Sequence, residues 1–97
     1  MNMEMLNKKK HAVDLLSEVV KVNQANVESV NYEVYGSETI YTEFLVVNYV
    51  GGAVSIRVIT GDSFSAIFRT LGNLLDSGYY ADLEYYAHVK ETHKKII

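Results

Sequence analysis

Taken as a pattern of apolar and polar positions, the chain opens with a helix. From Met3 to about Val22 the residues Leu6, Val13, Leu16 and Val20 return at helical intervals, and Ala12, Leu15 and Val19 widen the stripe. Lys8, Lys9, Asp14, Ser17, Glu18 and Lys21 fill the other side. The pattern runs out in Asn23, Gln24 and Asn26, whose side chains favour turns over helix continuation. From there the period shortens to two. Val30, Tyr32 and Val34 alternate with Asn31, Glu33 and Tyr35 before Gly36-Ser37-Glu38, and a second alternating run starts near Thr39. Gly51-Gly52, set between two β-rich runs, reads as a two-residue hairpin loop, because both central positions of a type I′ turn need positive φ.

These turns predict a register. A loop at Gly51-Gly52 sets Val50 opposite Ala53, Tyr49 opposite Val54, Val47 opposite Ile56 and Leu45 opposite Val58. One face then collects Leu45, Val47, Tyr49, Val54, Ile56 and Val58, and the other collects Phe44, Val46, Asn48, Val50, Ala53, Ser55, Arg57 and Ile59. A loop at Ser37-Glu38 pairs Val34 with Tyr41 and Val30 with Leu45, which puts Val30, Tyr32 and Val34 on the first face, the expected core. Glu43 shares that parity opposite Tyr32 and is expected near the end of the sheet, reaching solvent. The second face carries Phe44, Val46, Val50 and Ile59 together with Tyr35 and Ile40. That is more apolar surface than a solvated sheet face of a monomer shows, so either the first helix or another chain should cover it.

Thr60-Gly61-Asp62-Ser63 offers a turn and an N-cap. Phe64, Ile67, Phe68, Leu71, Leu74 and Leu75 follow at helical spacing, with Gly78 as terminator. Beyond Gly78 two readings compete. Leu83, Tyr86, His93 and Ile97 fit a helix capped by Asp82, whereas Leu83, Tyr85, Ala87 and Val89 alternate like a strand. The helix is preferred for its good helix formers and its lysines near the C-terminal end. It turns Tyr86 inward with Leu83 and leaves Tyr85 outward beside Glu84. The expected fold class is α+β: one domain over residues 1–97, a three-stranded antiparallel β-meander packed with helices in the order α-β-β-β-α-α, with α-β-β-β-α-β as the alternative.

Charge and composition narrow the function classes. A chain of 97 residues has room for one core and little for an enclosed site with separate cofactor and substrate halves. It has no cysteine, which removes thiol nucleophiles, disulfides and thiolate metal sites. The start MNMEMLNKKK has no h-region, and no apolar run approaches the roughly 20 residues of a membrane span, so a cytoplasmic protein with no membrane partner is expected. Residues 22–56 contain no Lys or Arg but do contain Glu28, Glu33, Glu38 and Glu43; both ends are slightly basic. A net charge of −3 argues against direct nucleic-acid binding through the short Lys8-Lys9-Lys10-His11 run.

Motifs add no chemistry. Glu84, His88 and Glu91 would share a helix face, but their spacing matches no metal motif and suits a salt-bridged surface. Ser63 lies in no GxSxG elbow, and the glycines form neither a phosphate loop nor a dinucleotide fingerprint. No catalytic residue, cofactor or metal is therefore expected. The expected function is that of a non-enzymatic protein-binding module, with a self-associating structural domain (a homodimer) or a small accessory nucleic-acid binder as alternatives.

This element order in under a hundred residues, acidic overall, rich in Tyr and without Cys, resembles small phage-encoded anti-defence proteins. Some anti-CRISPR inhibitors among them use a three-stranded sheet flanked by helices and carboxylates to occupy the DNA-recognition groove of a CRISPR nuclease. The resemblance implies a host protein, specifically a nucleic-acid-binding nuclease, as partner. It makes Glu33, Glu43, Asp82 and Glu84 the carboxylates of the contact surface and Tyr80 and Tyr85 its aromatic anchors. The chain is only mildly acidic beside that pattern.

Overall fold

A computed structural model describes residues 3–59, 63–77 and 82–97. The elements are α1 (Met3–Asn23), β1 (Val27–Gly36), β2 (Tyr41–Tyr49), β3 (Val54–Ile59), α2 (Phe64–Ser77) and α3 (Leu83–Thr92). The order is α-β-β-β-α-α, and the strands form one antiparallel sheet in the order β1-β2-β3. The turn residues Thr60, Gly61 and Asp62, the terminator Gly78 and the anchor Tyr80 lie outside the described residues.

Three layers result, and the outer two differ from expectation in which helix covers which face. On one face Val30, Tyr32 and Val34 of β1 and Leu45 and Val47 of β2 pack with Leu6, Val13 and Val20 of α1 and with Ile67, Leu71 and Leu74 of α2. On the other face Tyr35, Phe44, Val46 and Ile56 pack with Val89 and Tyr86 of α3. The second face is thus covered by the last helix, not the first. The choice left open for residues beyond Gly78 falls to helix. Leu83, assigned inward by periodicity, is instead 41% exposed, and Val89 takes the buried position.

The β2–β3 hairpin is one residue out of the expected register. Asn48 pairs with Val54, Val46 with Ile56 and Phe44 with Val58. The loop holds three residues, Val50, Gly51 and Gly52, closed by the Tyr49 N–H on the Ala53 carbonyl (2.8 Å) and the Gly52 N–H on the Tyr49 carbonyl (3.1 Å). Gly51 and Gly52 both take positive φ, 98° and 96°. The Val50 N–H bonds the carbonyl of Asn26, just before β1 (2.9 Å), and Val50 lies outside the β2–β3 ladder. A one-residue slip turns every side chain of β3 over. Ser55 and Ile59 therefore join the α1/α2 layer, while Val54, Ile56 and Val58 face α3. The Ser55 hydroxyl, now fully buried, donates to the Tyr49 hydroxyl at 3.1 Å.

The β1–β2 register is shifted by two, so its face assignment survives. Val30 pairs with Val47, Tyr32 with Leu45 and Val34 with Glu43, around a Ser37–Ile40 loop in which Ile40 is exposed. Gly36 closes that loop at φ 135°. A Cβ built there would lie 2.3 Å from the Ile40 carbonyl oxygen and 2.8 Å from the Tyr41 Cα, both backbone atoms. Gly36→Ala should therefore cost at least about 1–3 kcal/mol, through the disfavoured φ and the clash together. A lowered urea midpoint with an unchanged slope is the expected reading, and an unchanged midpoint would contradict it.

The sheet's outer edges are partly occupied. Along β1 the Ser17 hydroxyl accepts the Val30 N–H at 2.8 Å, and the C-terminal tail bonds Val34 and Gly36 through Lys94, Ile96 and Ile97. On β3 the Asp82 carboxylate accepts the Val58 N–H at 2.8 Å. At the head of α2 the Ser63 hydroxyl accepts the Ala66 N–H at 3.3 Å, the N-cap bond expected of it.

Candidate functional site

The titratable side chains that converge do so inside the fold, one group in each layer. On the α1 side, Glu43 of β2 sits under Lys9 of α1, with Nζ to Oε1 at 3.1 Å, and the same Oε1 accepts the Tyr32 hydroxyl. Lys9 falls on the Leu6–Val13–Val20 line of α1, which brings its ammonium onto the sheet. On the α3 side, Oε1 of Glu33 accepts hydroxyls from its own-strand neighbour Tyr35 and from Tyr86 of α3, the latter at 2.7 Å. Among the described residues, no buried side-chain nitrogen or oxygen lacks a hydrogen-bond partner.

Glu33 and Glu43 are therefore not the surface carboxylates expected of them: both are buried and engaged within the chain. Glu43 does not reach solvent at the sheet's end, because Lys9 and Tyr32 supply the partners its burial requires. Asp82 is half-buried and spends its carboxylate on the β3 edge, with no side-chain bond to its own helix. Glu84 is exposed. Tyr85 is 48% exposed, with its ring centre 5.9 Å from that of Phe44. Of the six expected contact residues, the structure thus brings Asp82, Glu84 and Tyr85 together at the start of α3 and leaves the last two accessible.

Periodicity places Tyr32 and Tyr86 inward, as the structure does, but it sets Lys9 on the polar side of α1 and names no tyrosine or lysine as the partner of a carboxylate. Lys9 was legible: three residues after Leu6 and four before Val13, it lies on the buried line and not opposite it. The tyrosines carry no such signal, since a strand tyrosine reads the same whether or not its hydroxyl meets a carboxylate.

Burial, and then a hydrogen bond to a carboxylate, hold all three tyrosines protonated beyond their ordinary range. Tyr35 is pushed up to about 12 by burial and by Glu33. Tyr32, through burial and Glu43, and Tyr86, through burial and Glu33, are raised further. A group that keeps its proton in the native state and loses it in the unfolded state stabilises the fold below its unfolded value, and that contribution drains away as pH rises. The contribution of these three tyrosines to stability should be level up to about pH 10 and fall steadily from there toward pH 12. The tyrosinate absorbance of these three residues should then appear together with the loss of circular dichroism. Titration of all eight tyrosines in a folded protein would contradict this.

Among the described residues no group of three or more His, Asp or Glu side chains is placed to hold a metal, and no helix is long and apolar enough to cross a membrane. Two open grooves are lined by other residues than the buried clusters. One lies between α1 and α2, and the other lies where the Gly36–Glu38 turn meets Lys94 and Lys95. No protein-family model, curated protein or solved structure matches the chain.

Proposed function

We propose that the chain is a non-enzymatic, cytoplasmic protein-binding module that presents the first turns of α3 to a basic partner. The observation that carries this reading is the way α3 is held. Tyr86 on Glu33, Val89 in the second core and Asp82 on the edge of β3 tie the helix down. Leu83 and Tyr85 nevertheless remain 41% and 48% exposed, beside the exposed Glu84. A half-exposed tyrosine on a fixed helix supplies large contact area at low entropic cost, and an adjacent carboxylate adds attraction to a cationic groove. Burial of Glu33 and Glu43 narrows the acidic part of this surface to Glu84. The resemblance to phage anti-defence proteins favours a nucleic-acid-binding nuclease of the host as the partner.

Host cytoplasmic proteins enriched on heparin, which selects basic nucleic-acid binders, provide the probe. Immobilised chain should retain at least one of them in a salt-sensitive way. Glu84→Lys with Tyr85→Ala should abolish that retention, whereas Asp76→Lys on α2 should leave it intact. Equal retention by the double variant and the parent would overturn the α3 surface.

A further inference from the structure

The first helix carries a second line of mainly apolar residues beside the one buried on the sheet. Met5, Lys8, Ala12, Leu15, Val19 and Val22 follow one another at alternating steps of three and four, the heptad spacing of a helix-pairing seam. The buried line runs beside it through Leu6, Val13 and Val20. Leu15, Val19 and Val22 are 59%, 56% and 86% exposed, so half of the apolar arc of α1 stands in water. Near Ala12 and Leu15 the seam borders an open groove of about 680 Å³ whose far wall is Phe64 of α2.

We infer that this seam pairs with the same seam on a second copy of the chain, the two α1 helices running antiparallel about a twofold axis. The charge and size pattern selects both the occupant and the direction. In an antiparallel pair centred between Val13 and Asp14, Met5 meets Val22 of the second copy, Lys8 meets Val19 and Ala12 meets Leu15, and the twofold repeats each pairing. Every small residue then faces a large one, and an isologous contact closes on itself at two copies. Lys8 is the one charged residue of the seam. In this arrangement its ammonium comes up beside Glu18 of the other copy, whereas a parallel pair in register would bring Lys8 against Lys8. Both side chains are free to exchange partners: Lys8 now bonds Glu4 at 3.4 Å and Glu18 bonds Lys21 at 3.6 Å, exposed intrahelical pairs of little energetic weight. The seam lies on the opposite side of the sheet from α3, so this inference stands or falls separately from the α3 reading.

Sedimentation of the whole chain tests it first: the 11.0 kDa species should double in mass as concentration rises. Leu15→Glu should abolish dimerisation while leaving helical content unchanged. Lys8→Glu and Glu18→Lys should each weaken it about tenfold, and the two together should restore it. Because the chain has no cysteine, direction can be read by cross-linking. Met5→Cys chains mixed with Val22→Cys chains should form disulfide-linked pairs under oxidation, and Met5→Cys alone should not. A strict monomer up to about 1 mM, the concentration that still reports a dimer of about −4 kcal/mol, overturns the inference. Efficient cross-linking of Met5→Cys to itself, or a charge swap that fails to restore dimerisation, overturns the antiparallel arrangement.

Discussion

Lys9→Met is expected to destabilise the protein by about 3–5 kcal/mol, a large share of the stability of a small domain. The reason is what the change leaves behind rather than what it removes. Glu43 is buried against the sheet, and its carboxylate is held by the Lys9 ammonium at 3.1 Å and by the Tyr32 hydroxyl. Without Lys9 a buried carboxylate keeps one neutral donor and loses its counter-charge. The same logic makes the double change Lys9→Met with Glu43→Leu much milder than the single one. An ion pair replaced by apolar side chains of similar size costs little or even stabilises, whereas half an ion pair is strongly unfavourable. Urea unfolding of the parent, the single variant and the double variant separates the cases. A single variant within about 1 kcal/mol of the parent would mean that Glu43 has another route to solvent or to a cation.

That pair also shows where the sequence was readable and where it was not. The helices of the first layer follow from periodicity because each buries one line of residues, yet Lys9 and Ser17, which the apolar pattern sets on the polar side, lie on that line with Leu6 and Val13. The register of β3 was not readable by the same logic. Sorting a strand into one apolar and one polar face fixes its register only when one face is wet. Here α3 covers the second face, so Val54, Ile56 and Val58 are at home there, and Ile59 is at home on the first. Either register buries apolar side chains. The observed register is accompanied by a backbone bond from Val50 to Asn26, which the sequence does not announce. The buried glutamates escaped notice for a related reason. A lysine-free stretch reads as an acidic surface, yet two of its four carboxylates, Glu33 and Glu43, are inside, where tyrosine hydroxyls replace water.

Phe44→Ala should cost about 3–5 kcal/mol, and its effect should be concentrated on α3. Phe44 is fully buried at the middle of the second face. Its ring centre lies 5.1 Å from that of Tyr86, 5.9 Å from that of Tyr85 and 6.1 Å from that of Tyr35, mostly edge-on, the arrangement in which aromatic pairs add to plain burial. Truncation therefore empties a space lined by two residues of α3 and loosens the rings that aim Tyr86 at Glu33. The first layer shares the sheet but not this space, so α1 should keep its amide protection while α3 exchanges at a free energy well below that of global unfolding. Phe44→Leu, which leaves a far smaller gap, should lose much less stability and retain protection in α3. If α3 is the contact surface, Phe44→Ala should also weaken partner retention under conditions where the sheet is still folded. Uniform loss of protection across α1 and α3 would instead make the two layers a single cooperative unit, and would remove the distinction on which a separately tethered α3 depends.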